Sequence, residues 1–459
     1  MSATDRLAAF VAGLDLAALS PATVERCKIH LLDTIGVAIR GSTTVHGRQA
    51  AALVDELGGR SEATVIGATG ATNALNAAFA NGVMAHAIDF DDGHKFVHPG
   101  CAVVSAALAA AESEGVDGAA LLVAVVAGYE VSIRVSLAAG LEHRERGFHP
   151  TSTCNVFGAA AAGARLMGAD AATLSSALGI ALAESGGTCQ YRFDGSPNKH
   201  LHGGVAARGG LQAARLARGG FRGTAEPIEG TFGVARAMSD GGEPEALTDE
   251  LGDGFLIDAC YIKPYPSCRR THEPLDLVVD GVRKHGVDAG AIRSVVLDTY
   301  AYAYQPWLVS TEPPRTSLEA MLNTPYCLAA AFRDGLLSLD QFDDAHLADP
   351  EIAALARRIT VRSDEELTRK WPASRGARLH VTLGDGRTVS LETDNPRGGP
   401  EKPFGWEDVC GKFAGLAEPV IGRDAARLTM DVVADLEKLD DAGALMRPLA
   451  AAGRASAAA

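Results

Sequence analysis

The chain has 459 residues, more than one ordinary core absorbs, and sets 42 Lys plus Arg against 57 Asp plus Glu for a formal charge of -15. Two domains are expected, and the acidity argues against nucleic acid or an anionic membrane as the main partner, so an anionic small substrate would need a local basic pocket. Hydrophobic residues supply 47% and aromatics only 5%, which suits closely packed helices and predicts a mainly α protein.

At the N-terminus, MSATDRLAAFVAGLDLAAL carries Asp5 and Asp15 and no basic stretch leading into an apolar one, so it does not read as a signal peptide. Purely apolar runs such as 119–128 fall short of the ~20 residues a membrane helix needs. The eight cysteines lack C-x-x-C spacing and read as reduced thiols, which makes a soluble, cytoplasmic protein the expectation. Next, SPATVERCKIHLLDTIGVAIRG offers Ser20 as N-cap, Pro21 at the first helical position, an apolar face through Val24, Cys27, Leu31 and Ile35, and Gly41 as a stop. Ala-rich helical patterns recur at 71–87, 101–114, 119–139, 153–167, 171–185 and 202–219, with no fixed-period repeat.

After Tyr261 the texture changes. KPYPSCRRTHEPLDLVVDGVRKHG leads from a Pro-rich turn into a helix, IRSVVLDTY reads as a strand and MLNTPYCLAAAFRDG as a helix. RITVRSD, ARLHVTL and TVSLET follow as strands, the last two joined by the hairpin turn GDGR. From 409 to 446 the pattern is helical again, and the tail RPLAAAGRASAAA is expected to fray. The predicted plan is a helical domain built from 1–264 and 400–459, with an α+β domain, 265–399, inserted.

The segment AHAIDFDDGHKFVHPG, 85–100, concentrates six potential metal ligands: His86, Asp89, Asp91, Asp92, His94 and His98. Their spacing matches neither an EF-hand loop nor H-E-x-x-H, so no metal is expected. P-loop, nucleophile-elbow and dinucleotide-binding patterns are also missing, and no cofactor is implied. Taken alone, each histidine reads as a satisfied polar group. Their shared setting points elsewhere, because His98 and His149 each precede a proline at the head of an Ala-rich helix, where free N–H groups favour an anion. Lys199 lies just before Gly203 and Gly204, which allow close backbone approach. Together these features suggest a carboxylate-binding pocket.

The stretches NGVMAHAIDFDDGH…HPG, GFHPTST..VFGAAAAGARLMG, DGS..KHLHGGVAARGGLQAARLARGGF.G and K.YPSC…H resemble, in order and over nearly the whole chain, the signatures of the MmgE/PrpD family. The resemblance implies a large all-helical domain with an inserted α+β lid, a homodimer, and an active site between the domains. It also implies chemistry on small di- or tricarboxylates without a redox cofactor, as in 2-methylcitrate dehydratase, cis-aconitate decarboxylase and iminodisuccinate epimerase. Carried over by motif, the matching positions are Asp89, His98, His149, Lys199 and His272, of which Asp89, His98, Lys199 and His272 are the catalytic candidates and His149 a substrate-binding one; His202 and Lys263 are further substrate-binding candidates. Gln190, Tyr191 and Arg192 are a local variation, either a carboxylate-recognising patch or a plain helix-end surface. Gly93 stands where many members place Thr.

All three family chemistries develop negative charge beside a carboxylate, which preorganised cations would stabilise. Lys199 is expected to meet that charge or transfer a proton, with its pKa lowered if other cations crowd it. His98 and His272 form the expected acid–base pair, and Asp89 is expected to orient a histidine or a lysine. The motifs therefore favour a cofactor-independent lyase most like 2-methylcitrate dehydratase. An epimerase or a decarboxylase is the alternative, and outside the enzymes a carboxylate-binding protein on the same scaffold.

Overall fold

Ser20 accepts a hydrogen bond from the Thr23 N–H at 3.0 Å and Pro21 opens the helix Pro21–Ser42, in a computed structural model that describes residues 1–68, 70–282 and 284–451. Gly41 does not stop this helix, which runs on to Ser42. Its role is contact: a Cβ there would come 2.7 Å from the Met84 carbonyl carbon, so the missing side chain lets the helices Pro21–Ser42 and Ala74–Ala85 touch through backbone. Small residues do the same between Ala74–Ala85 and Asn198–Arg218, where a Cβ on Gly82 would meet the Gly203 carbonyl oxygen at 2.8 Å.

Helices dominate the chain. One hydrophobic core gathers buried side chains from Leu7 to Ile262 and takes further ones from Val409 to Leu449 near the other chain end. The helix Gly118–Glu145 runs through it. Against the expectation from apolar runs, this helix is long and apolar enough to cross a membrane, but 89% of its apolar window is buried within the fold. It breaks at Gly140, whose φ of 75° no other residue type adopts readily.

A second core spans Tyr265 to Leu383. In its sheet the strand Ile292–Thr299 pairs parallel with Ile359–Ser363 and antiparallel with Ala377–Leu383, which pairs in turn with Thr388–Thr393. Ala377, Leu379, Val381 and Leu383 alternate inward, as a half-buried strand requires, and the helix Thr324–Asp334 contributes to the same core. All eight cysteines are free. Of the tail, Arg447–Ala451 is a helical turn and the remainder lies outside the described residues.

Candidate active site

The helix Ala74–Ala85 delivers the chain to a buried loop in which Asp89 adopts a positive φ of 48°, a conformation that Asp tolerates better than most side chains. Lys199 reaches Asp89 from the first turn of Asn198–Arg218, its Nζ 3.0 Å from Oδ1. Lys263, where the first core gives way to the second, donates to the same oxygen at 2.8 Å and to the Asp89 carbonyl at 2.8 Å. Asp89 Oδ2 is buried and unpartnered.

Burial alone would raise the Asp89 pKa, but the two ammoniums hold it well below the usual carboxylate range. Lys199 moves oppositely to the sequence-based expectation. Burial pulls its pKa down, yet Asp89 and Asp91 outweigh that and raise it, so Lys199 is a fixed cation near neutrality rather than a ready base.

The rest of the loop is braced from beneath. Asp92 accepts hydrogen bonds from Tyr129 at 2.7 Å, His30 at 2.7 Å and the Gly100 N–H at 3.1 Å. Asp91 accepts from His86 Nδ1 at 2.7 Å, which leaves His86 Nε2 buried without a partner. His86, Asp91 and Cys101 each place a possible metal ligand atom within 4.8 Å of the others, a grouping that spacing in the sequence did not isolate.

His98, at the N-cap of the helix Pro99–Glu114, donates from Nδ1 to the Asp92 carbonyl at 2.6 Å. Its tautomer is thereby fixed with the lone pair on Nε2. Burial, only partly countered by Asp91, pushes its pKa down to about 4. His149 and His202 share one proton between their Nδ1 atoms at 2.6 Å. Burial pushes the His149 pKa well down and that of His202 to about 3.

A cavity of about 660 Å³ opens between the two cores. Among the sequence candidates, Asp89, His98, His149, Tyr191, Arg192, Lys199 and Lys263 line it. Gln190, His202 and His272 do not: Gln190 is exposed, and His202 stands behind His149. His272 is fully buried, its Nε2 donating to the Ser267 carbonyl at 3.2 Å and its Nδ1 accepting from Arg269 at 3.1 Å. His272 thus stands one residue behind the cavity wall, in contact with Arg269, which lines it.

Sequence reasoning missed Arg144, Arg269, Arg270, Arg375 and Tyr261, all of which line the cavity. The run CRRTH held two of the arginines beside a candidate histidine, but nothing local marks Arg144 or Arg375. Tyr261 answers the departure at Gly93. The two residues exchange backbone hydrogen bonds of 3.1 and 2.8 Å, and a Cβ on Gly93 would fall 2.6 Å from Tyr261 Cζ. A tyrosine phenol thus occupies the space beside Gly93 that a threonine there would need.

Comparison with known proteins extends this picture along the whole chain. The model of the MmgE/PrpD N-terminal domain matches residues 5–247, and that of the MmgE/PrpD C-terminal domain matches 265–438. The cis-aconitate decarboxylase of Homo sapiens is 28% identical over 463 residues, covering 97% of this chain and 94% of that protein. A cis-aconitate decarboxylase-like protein of Aspergillus oryzae is 28% identical with 93% of each covered, and the cis-aconitate decarboxylase of Aspergillus terreus 26% with 93% and 91% covered. With both halves matched in order, the chain belongs to the MmgE/PrpD family.

Proposed function

We propose that the protein is a cofactor-independent carboxy-lyase acting on cis-aconitate or a closely similar unsaturated tricarboxylate. The observation that carries this reading is the end-to-end similarity to cis-aconitate decarboxylases, and it moves the weight away from the 2-methylcitrate dehydratase favoured by the motifs alone. The cavity chemistry supports it. Lys199 and Lys263 present ammoniums to substrate carboxylates, and Asp89, held between them, fixes their positions.

Loss of CO2 from the saturated arm breaks a carbon–carbon bond and leaves its electron pair to form a terminal methylene. The original double bond shifts, and its charge is delocalised onto the neighbouring carboxylate, where the two lysines stabilise it. A proton then adds to the former methine carbon. In this reading His98, which lines the cavity, delivers it: an adjacent substrate carboxylate raises its pKa from about 4 and the proton taken up resides on Nε2. In this reading the sheet-bearing unit, 265–399, acts as a lid over the cavity and the enzyme is a homodimer, which light scattering tests.

Incubation with cis-aconitate, followed by CO2 measurement and proton NMR, tests the reaction. Stoichiometric CO2 with new terminal-methylene signals is expected. Water loss from 2-methylcitrate without any CO2 from cis-aconitate would replace the decarboxylase by a dehydratase.

A further inference from the structure

Three arginines of the cavity, Arg270 buried and Arg144 and Arg192 half-buried, lack the partners that enclosed arginines ordinarily have. Arg270 is 7% exposed and makes no hydrogen bond or ion pair among the described residues; its guanidinium lies 3.8 Å from the Tyr302 ring centroid and 5.4 Å from that of Trp307. Arg192 lies 5.3 Å from the same Trp307 ring, and its Nη2 is buried without a partner. Arg144, carried past the break at Gly140, gives Nη1 to the Phe96 carbonyl at 3.1 Å, while its Nε is buried and unpartnered. Tyr302 adds a buried hydroxyl with no partner.

Cations in so enclosed a place are normally met by carboxylates, since an unpaired buried charge is costly. Among the described residues, none forms an ion pair with them here. After burial, the groups that act most on Arg270 are Tyr302, Arg144, Cys268 and Arg192, two of them further cations. The lysine end of the cavity, by contrast, has Asp89 between its ammoniums. One carboxylate thus offsets half of the lysine charge, whereas nothing among the described residues offsets the arginines. The cavity's volume of about 660 Å³ also lies in the range that encloses drug-sized ligands, beyond the needs of a small tricarboxylate.

We infer that Arg144, Arg192 and Arg270, with Tyr302 and Trp307, form a second oxyanion subsite. It receives a carboxylate or phosphate on an arm of the substrate remote from the carbon that reacts at Lys199 and Lys263. This deepens the proposed function and rests on it for the position of the reacting end. Planar guanidiniums stacked on aromatic faces hold their N–H donors in a fixed fork, the geometry that suits an oxyanion. Arg144 and Arg192 come from the helical side, whereas Arg270 and the two aromatics come from the segment beyond Lys263, so a bound anion ties the two sides together.

The test is isothermal titration of the full chain with inorganic phosphate and, separately, with malonate. Arg270→Gln and Arg192→Gln should each weaken binding about tenfold or more, and Arg423→Gln, at an exposed arginine outside the cavity, should leave it within about twofold. Arg270→Lys should recover part of the loss, and Arg192, being partly exposed, gives a variant with little folding cost. Tighter phosphate than malonate identifies a phosphorylated arm; the reverse identifies a carboxylate arm. No binding of either probe, or affinities indifferent to both arginine variants, overturns the subsite. Cis-aconitate turnover on the same preparations separates the two readings. Its absence with the arginine pattern intact removes the proposed reaction and leaves the subsite standing.

Discussion

Lys263 grips Asp89 twice, with Nζ 2.8 Å from the carboxylate Oδ1 and 2.8 Å from the backbone carbonyl oxygen of the same residue. One ammonium therefore fixes both the side chain and the left-handed backbone turn, φ 48°, that presents it. Lys263→Met should destabilise the fold by about 3 kcal/mol, because a buried carboxylate loses one of its two cations. Urea unfolding measures this, and an unchanged midpoint would show that Lys199 alone suffices. Lys199→Met carries a similar cost, so Lys199→Arg, which keeps the charge, is the better probe of chemistry.

Acid should unfold this protein early. His30, His86, His94, His98, His143, His149, His200, His202 and His272 all have their pKa values lowered, by burial first in every case, with His98 and His143 at about 4. Each is neutral in the fold, whereas in the unfolded chain it takes up a proton at about pH 6.5. The unfolded state then binds more protons, so stability rises with pH across this window and is lost as pH falls from about 6.5 toward 4. Asp89, with its pKa depressed, adds loss only at lower pH still. Thermal melts across the window check this; a Tm that stays level down to about pH 4.5 would contradict it.

Gly93 and Tyr261 should behave as one unit. Gly93→Thr forces a Cβ against the Tyr261 ring and should cost about 1–3 kcal/mol, the range for overpacking. Tyr261→Ala removes the obstruction, so the double variant should lose less than the sum of the single ones. Simple additivity in denaturant unfolding would mean the two do not compete for that space.

The residues that were legible in the sequence share a local cause. Ser20 and Pro21 mark a helix start by their own hydrogen-bonding chemistry, and Ala377–Leu383 declares a strand by alternation alone. Lys199 and Asp89 were visible as motif members, but not their pairing, 110 positions apart, which reverses the expected direction of the lysine's pKa. Gly41 misled because a helix-stopping glycine and a helix-packing glycine look alike until the neighbouring helix is present. His272 was visible as a motif member, but its contacts with Ser267 and the cavity-lining Arg269 were not. The arginines at 144, 270 and 375 converge from distant segments, and no spacing rule connects them.

Proton delivery to carbon gives the most specific test of His98. Because Nδ1–H is committed to the Asp92 carbonyl, any proton the ring delivers must come from Nε2, and the ring must first be cationic. With a pKa of about 4 in the protein alone, His98 is almost wholly neutral at pH 7. Substrate carboxylates raise that value, so kcat should fall on the alkaline side of a pKa about one unit or more above 4. His98→Gln keeps a polar side chain but cannot hold a transferable proton. It should lower kcat about a hundredfold or more, the usual contribution of a general acid, with a much smaller change in KM. The residual activity of the variant should also lose the alkaline limb, a change that a merely structural role would not produce. Near-normal kcat in His98→Gln, or a limb that survives the substitution, would assign the proton to another group, and Tyr261, which lines the same cavity, would be the next to replace.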